Sequence, residues 1–230
     1  MLCTNYRIWA RRSGEDASKW MEGLNKTWIA NGHRKFSEGA AYDIALSIET
    51  ASNNPDNIDI TLMDDLEKGF EKVVHKDIEA KAKVYKYPLA KLRLALSMYT
   101  AERRIRCGKA FSFPVTTKIG VLAGCPLAMS LLLFAVLDPV EDFWKRPLTC
   151  MVGLKVYVDD FALSFRFSRK THTNDMIRMK VANAYRAIEK AINGSGANFA
   201  KGKGKIVASD MCVANSIADE LNNQQDKIEK

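Results

Sequence analysis

The stretch LKVYVDDFALSF, residues 154–165, constrains the fold of this chain more than any other segment. On each side of its centre, apolar and polar side chains alternate, which is the pattern of a half-buried β-strand. Asp159 and Asp160 lie between the two runs, so we predict a β-hairpin, with strands over 153–158 and 161–167 and two carboxylates at its tip. Two ionised carboxylates this close repel each other, and they are tolerated either in full solvent or beside a neutralising cation.

A second predicted strand also ends in acidic residues. Residues 58–63 alternate apolar and polar side chains and run straight into Asp64 and Asp65. Side by side, the two strand ends would offer oxygen ligands to hard divalent cations, Mg²⁺ or Mn²⁺. Two such ions about 3.5–4 Å apart can activate an attacking hydroxyl and stabilise a leaving pyrophosphate, which is polymerase chemistry. Spacing alone leaves the alternative of a solvated acidic turn open.

The other patterns indicate an α+β fold. Helices are predicted over about residues 36–52, 66–87, 88–104, 126–144 and 174–193, a hairpin over 105–121, a last strand near 206–208 and a frayed polar end over 222–230. The clearest periodicity is in 174–193, where apolar residues recur on one helix face.

Composition narrows the class of protein. A chain of 230 residues with 47% hydrophobic and 27% charged residues is long and apolar enough for a folded core. No apolar run approaches the ~20 residues of a membrane span and the first residues do not form a secretion signal, so we expect an intracellular protein without a membrane partner. The five scattered cysteines argue against a disulfide framework or zinc site, and the net charge of +8 favours a polyanionic partner.

Five segments together resemble reverse transcriptases of non-LTR retrotransposons and group II introns. YVDD at 157–160 is similar to their YxDD box, and DLEKGFEKVVHKDI, which begins at Asp65, is similar to their D-L-x-K-A-F-D-x-V-x-H segment. GVLAGCPLAMSLLLFAVLDPV, which begins at Gly120, resembles their G-x-x-Q-G-C-P-L-S-P-L-L-F helix, and GANFAKGK, which begins at Gly196, resembles their G-L-x-x-N-x-x-K segment. FSEGAAYDIALSIE, which begins at Phe36, is similar to their F-x-x-G-x-S-x-x-D-A-I-x-x-L region. They occur in the family's order and cover roughly residues 33–208.

This resemblance implies a polymerase palm, an antiparallel sheet backed by helices, with partial fingers. It assigns residues 1–55 to a partial fingers region, 56–210 to a palm-like catalytic core and 211–230 to a polar tail. The implied activity is RNA-directed DNA polymerisation, in which dNTPs are added to the 3′-hydroxyl of a DNA primer on an RNA template with two Mg²⁺ or Mn²⁺ ions. The short chain leaves little room for a thumb, so we expect a fragment of such an enzyme; the sequence carries no indication of its oligomeric state.

The resemblance also assigns the catalytic residues. Asp65 matches the first metal-binding aspartate, because the following Phe70 fits the pattern only from that position, while Asp64 remains the competing ligand by proximity. Asp159 and Asp160 match the other two metal ligands. Lys201 matches a lysine near the triphosphate, where it could donate a proton or supply positive charge, although a solvated basic loop is an equal alternative.

A further set is implied to bind substrate. Phe70 matches the aromatic residue beneath the incoming sugar, which excludes a 2′-hydroxyl; its alternative is a core phenylalanine. The other members are Gly124, Cys125 and Pro126, which match the segment contacting the template base and the duplex, and Tyr157, which packs the acidic turn. Arg103, Arg104, Arg106 and Lys109 beside Phe111 and Phe113 form a basic and aromatic mix suited to a nucleic-acid backbone, or simply a charged helix end.

Two positions depart from the family pattern. Glu71 stands where a second aspartate is usual, and Ala123 replaces a glutamine before Gly-Cys-Pro. One alternative is therefore a truncated, inactive retroelement remnant that binds nucleic acid without turnover. Another is a palm-fold phosphotransferase such as a nucleotide cyclase, which would leave GCPL and NFAK unexplained.

Overall fold

The computed structural model describes residues 4–31, 37–146, 148 and 150–228, and over these it confirms the α+β class. Phe36, which opens one of the family-like segments, lies outside them. The elements in chain order are α1 (Thr4–Gly23), α2 (Ser37–Ser52), β1 (Asn57–Asp65), α3 (His75–Val84), α4 (Leu89–Thr100), β2 (Arg106–Cys107), β3 (Ala110–Phe111), α5 (Ala128–Trp144), β4 (Met151–Tyr157), β5 (Asp160–Ser168), α6 (Asn174–Gly194), β6 (Lys205–Ala208) and α7 (Met211–Ile228).

The chain divides into two compact units. The first unit contains the segment up to Asn25 together with Lys68–Leu137, and the second contains Lys26–Glu67 and the chain from Asp138 onward. Among the described residues, no helix combines the length and apolarity needed to cross a membrane.

The second unit is built on a four-stranded antiparallel sheet in the order β4-β5-β1-β6. The central pair, β1 and β5, is in continuous register from Asn57 opposite Ser168 to Asp65 opposite Asp160. Because side chains alternate along a strand, this register decides which side chains share each face of the sheet.

One face of the sheet is apolar. It carries Ile58, Ile60 and Leu62 of β1 opposite Phe167, Phe165 and Leu163 of β5, and all six side chains are buried. Helix α6 lies over this face, since its Tyr185 hydroxyl donates to Asp64, the next β1 residue on that side. Its own buried stripe includes Ile177, Val181 and Ile188, each 0% exposed. Burying one such side chain contributes about 1.5–3 kcal/mol, so this layer supplies the core of the unit.

The opposite face carries polar pairs along the same two strands. The Arg166 guanidinium donates to both oxygens of Asp59, with Nε to Oδ1 and Nη2 to Oδ2 both at 2.8 Å. Thr61 and Ser164, also opposite each other, are joined through their hydroxyl oxygens at 3.2 Å. Asp65 and Asp160 are the last pair of the series.

The first unit packs its helices around an aromatic cluster. Trp20 of α1 lies 4.8 Å from Tyr87 and 5.0 Å from Phe134, measured between ring centroids. The Trp20 indole N–H donates to the Tyr85 carbonyl at 2.8 Å. Strands β2 and β3 form the predicted hairpin in this unit, and both are exposed.

The structure corrects two expectations from the sequence and adds helix α1, which the sequence patterns did not indicate. The helix predicted over 66–87 begins only at His75, because Lys68, with φ 51°, breaks the segment before it. The end expected to fray is helical through Ile228; it continues a helix whose first turn is capped by Asp210, which accepts the backbone N–H groups of Cys212 and Val213.

The Asp59–Arg166 pair makes a strong prediction about stability. Asp59 is 4% exposed, so removing its partner leaves a buried carboxylate without a counter-charge. We expect Arg166→Met to lower the free energy of unfolding by about 2–4 kcal/mol, measured by urea denaturation.

The matched control is Lys170→Met, because Lys170 pairs with Asp56 at 2.6 Å and both side chains are largely exposed. An exposed pair contributes about 0–1 kcal/mol, so this variant should unfold nearly as the wild type does. Equal losses in the two variants would contradict the importance assigned to the buried pair.

Glu141 of α5 makes stability depend on pH. Burial raises the pKa of Glu141, but the hydrogen bonds from Lys26 Nζ at 2.8 Å and Trp28 Nε1 at 3.2 Å outweigh it, and the pKa lies below its ordinary value. A carboxylate whose pKa is lower in the folded than in the unfolded protein stabilises the fold. This contribution is complete at a pH above the unfolded pKa, and it is lost as the pH falls through the folded pKa. In urea titrations, Glu141→Gln should therefore lower the free energy of unfolding most near pH 7 and least near pH 3. The same cost at both pH values would contradict this.

Candidate active site

The ends of β1 and β5 bring three carboxylates together. Asp65 closes β1, Asp160 opens β5 directly opposite, and Asp159 lies in the turn between β4 and β5. One carboxylate oxygen from each lies within 4.8 Å of the other two. In the described part of the chain, these residues form the one group of three or more His, Cys, Asp or Glu side chains able to hold a metal ion.

Backbone hydrogen bonds fix the strand end that carries Asp65. The Leu66 N–H donates to the carbonyl of Asp159 at 3.0 Å, and the Ala200 N–H donates to the carbonyl of Asp65 at 2.7 Å. The acidic turn and the segment before β6 are thus both bonded to the end of β1. The three carboxylates are positioned by main chain as well as by strand pairing.

The turn at the hairpin tip is strained. Val158 has φ 62°, in the left-handed region where glycine is usual and a β-branched residue is an outlier. Such a conformation costs about 1–3 kcal/mol and persists only where the surrounding structure enforces it. Here the β4–β5 pairing of Tyr157 with Asp160 leaves two residues to close the turn.

Electrostatics favour a cation among the carboxylates. The pKa of Asp160 is raised, first by burial and then by the negative charges of Asp159 and Asp65, while Lys203 acts in the opposite direction. Lys203 Nζ donates to Asp65 Oδ2 at 2.5 Å, and this hydrogen bond raises the pKa of the lysine. The site thus draws positive charge toward it, and one ammonium group of this chain already contacts it.

Asp64 lies on the other face of the sheet. It is 8% exposed, and its carboxylate accepts hydrogen bonds from the Tyr185 hydroxyl and from the Asp65 N–H. Burial raises the pKa of Asp64 despite these hydrogen bonds. The two adjacent aspartates therefore have different surroundings, and it is Asp65 that joins Asp159 and Asp160.

Two more of the residues singled out from the sequence lie in the second unit. Tyr157 is the half-buried last residue of β4, opposite Asp160. Lys201 lies in the exposed turn before β6, two residues ahead of Lys203. Their assigned roles remain predictions.

The remaining candidates lie in the first unit. Phe70 is half-buried in a turn, where its carbonyl accepts the Val121 N–H at 2.8 Å. Gly124 has φ 83° with open space beside its α-carbon, so backbone conformation alone accounts for a glycine there. Cys125 is 5% exposed, with its sulfur 3.6 Å from the Tyr6 hydroxyl, and Pro126 is half-buried. Their assignment to substrate binding also remains a prediction.

Sequence reasoning missed two residues that touch the acidic strand ends. Lys203 was overlooked because the family pattern pointed to Lys201; the run KGKGK offered both, and only the fold of the turn distinguishes them. Tyr185 falls on the face where apolar residues recur in the periodicity of 174–193, so the sequence pattern places it in the core. Its signal was its hydroxyl, since a buried tyrosine usually needs a hydrogen-bond partner.

Comparison with protein-family models gives no match. Comparison with curated protein sequences also gives none. The similar solved structures include apo telomerase from Candida tropicalis truncated from its C-terminal domain, with a TM-score of 0.57 and 12% identity over 88% of this chain and 41% of that one. They also include two telomerases in complex with a TWJ fragment of telomeric RNA. The C. tropicalis one has a TM-score of 0.60 and 13% identity over 90% of this chain and 35% of that one, and the Candida albicans one has a TM-score of 0.63 and 14% identity over 91% and 37%.

This likeness shows the fold: the chain has a reverse-transcriptase-like fold, with an antiparallel sheet backed by helices. The chain spans 35–41% of the length of these telomerases. At 12–14% identity the similarity carries the fold and leaves the activity to be argued from the site.

The Tyr185–Asp64 contact makes a prediction about stability. In Tyr185→Phe the buried Asp64 carboxylate loses its side-chain donor and keeps only the backbone N–H of Asp65. A hydrogen bond to a charged group contributes about 1.5–3 kcal/mol, so we expect a loss of that size in urea denaturation. The control is Tyr42→Phe. Because the Tyr42 side chain is 66% exposed, this variant should unfold as the wild type does. An unchanged midpoint for Tyr185→Phe would contradict the contact.

Proposed function

We propose that this chain is a catalytic domain of an RNA-directed DNA polymerase of the non-LTR retrotransposon and group II intron type. The observation that carries the proposal is the pairing of Asp65 with Asp160, which gathers three carboxylates at the ends of two adjacent strands. The ordered motifs of the sequence and the reverse-transcriptase-like fold agree with it. Two of the similar telomerases were solved with a fragment of telomeric RNA, which supports RNA as a partner here.

The donor set fits a hard divalent cation. Asp65, Asp159 and Asp160 offer only carboxylate oxygens, one from each within 4.8 Å of the others, and such oxygens suit Mg²⁺ or Mn²⁺. These three residues would hold two ions. When bound, the ions would activate the primer hydroxyl and stabilise the charge of the leaving pyrophosphate.

The chain's own residues would bind and orient the substrates. Lys203, beside Asp65, supplies positive charge near the reacting phosphates, and Lys201 in the same turn is the family's candidate for protonating pyrophosphate. Phe70 would exclude a 2′-hydroxyl and so select dNTPs. The backbone of Gly124, Cys125 and Pro126 would contact the template. Positioning and charge neutralisation account for most of the catalysis in phosphoryl transfer.

Primer extension tests the proposal. Wild type, Asp159→Asn and the control Asp219→Asn are compared on an RNA template with a DNA primer, dNTPs and Mg²⁺. Because Asp159 would ligate metal and Asp219 is exposed on α7, we expect the first variant to lose about 100-fold or more of the rate and the second to lose nothing. Omitting Mg²⁺ or adding EDTA should abolish extension by the wild type.

Equal incorporation by wild type and Asp159→Asn would refute a catalytic role for the carboxylates. The inactive-remnant alternative has its own signature, which is RNA binding that depends on salt and is indifferent both to Mg²⁺ and to the Asp159 substitution, without any extension. Measuring binding and extension on the same preparations separates the two functions.

A further inference from the structure

The first unit exposes a segment that combines basic and aromatic side chains. We define the basic ribbon as residues 103–116, which contain β2 and β3; every residue in it except Ser112 is exposed. Phe113 is 91% exposed, Ile105 71% and Phe111 62%. Large apolar side chains that cluster on the surface of a protein often mark a site of interaction with a ligand or partner.

Backbone pairing gives the basic ribbon a defined shape. Arg103 and Val115 exchange two hydrogen bonds, at 3.0 and 2.8 Å, and Arg106 pairs with Phe111 nearer the tip. The tip contains Gly108, with φ 61°, where a glycine is ordinary in a two-residue hairpin turn. The Phe111 ring is therefore displayed on a paired strand, and Phe113 lies between two paired positions, so little ordering entropy is lost when a ligand binds.

One face of the basic ribbon presents both charge and rings. The guanidinium carbon of Arg106 lies 5.8 Å from the centre of the Phe111 ring. Arg104 and Phe113 are the exposed residues two positions outside this pair on the same two segments, between it and the Arg103–Val115 pairing. The basic ribbon thus exposes two guanidinium groups and two aromatic rings within a few residues of each other.

The charge of this segment selects the kind of ligand. The basic ribbon contains four basic residues and no aspartate or glutamate; the basic ones are Arg103, Arg104, Arg106 and Lys109. Such a segment attracts a polyanion. Nucleic acid offers phosphates to the guanidinium groups and flat bases to the rings, and the base faces are free to stack only when the strand is unpaired.

We propose that the basic ribbon binds single-stranded nucleic acid, with phosphates on Arg104 and Arg106 and bases stacked on Phe111 and Phe113. This goes beyond the proposed polymerisation and does not depend on it, because no carboxylate of the candidate active site takes part. Single-stranded RNA and DNA share the chemistry that the ribbon recognises, and the test uses both.

Fluorescence anisotropy of labelled single strands of about 12 nucleotides, oligo(U) and oligo(dT), measures the interaction with the full chain. The titrations contain EDTA, so that divalent cations make no contribution. The double variant Phe111→Ala/Phe113→Ala should weaken binding by about 10-fold or more, because each lost stacking contact is worth about 1–3 kcal/mol. The control Tyr42→Ala removes an equally exposed ring, 66% accessible, from α2 in the second unit and should bind as the wild type does.

Salt dependence tests the phosphate contacts separately. Replacing Arg104 and Arg106 with Gln should lower the slope of log affinity against log salt by about 0.7 for each lost contact with a single strand. The control Lys83→Gln removes one exposed charge from α3 of the same unit and should leave the slope unchanged.

Loss of affinity in the ring variant for either oligo(U) or oligo(dT), with the controls intact, supports the proposal, and the arm that loses more identifies the preferred strand. Two results would overturn it: unchanged affinity of the ring variant for both probes, or wild-type affinity for a duplex of the same length equal to that for the single strands. Because Phe111 and Phe113 are exposed, circular dichroism should show an unaltered fold. A failure of primer extension leaves this test untouched, since binding is measured without metal.

Discussion

The register between β1 and β5 is the constraint on which the candidate site depends. It places Asp65 directly opposite Asp160, and the short turn that follows β4 adds Asp159 beside them. A slip of one residue would move every side chain of β1 to the other face, taking the isoleucines out of the core and Asp65 away from its partners. The apolar layer against α6 therefore holds the three carboxylates in place indirectly, because any other register would expose its buried side chains.

The same alternation places two adjacent aspartates on opposite faces of the sheet. Asp64 enters the layer between sheet and helix, where a tyrosine hydroxyl and a backbone N–H stabilise its carboxylate. Asp65 faces the polar side, among carboxylates and a lysine. Gly204 also belongs to this arrangement, since a β-carbon there would lie 3.3 Å from an Asp64 oxygen. The residue next to a candidate ligand thus anchors the strand end without joining the site.

The sequence predicted the parts of this arrangement that are local. Alternation located β1, β4 and β5, and the periodicity of α6 was clear, because both patterns lie within one element. The strand order of the sheet was not predictable from a single sequence, nor was the contact of Lys203 with Asp65, which are 138 residues apart. Helix α1 was missed for a related reason: its buried residues, including Tyr6, Ala10 and Ser13, are mostly small or polar and give a weak apolar stripe.

The strain at Val158 and the repulsion among the carboxylates have one physical origin. A turn of two residues between paired strands holds Asp159 beside the Asp65–Asp160 pair, and within this turn a β-branched residue adopts a positive φ. In water alone, neither the strain nor the like charges would be offset, and a glycine or asparagine turn would be more stable. Lys203 offsets part of the charge. Like charges gathered this closely are tolerated beside a neutralising cation, so the geometry that is least favourable for folding is one that a bound metal ion would stabilise.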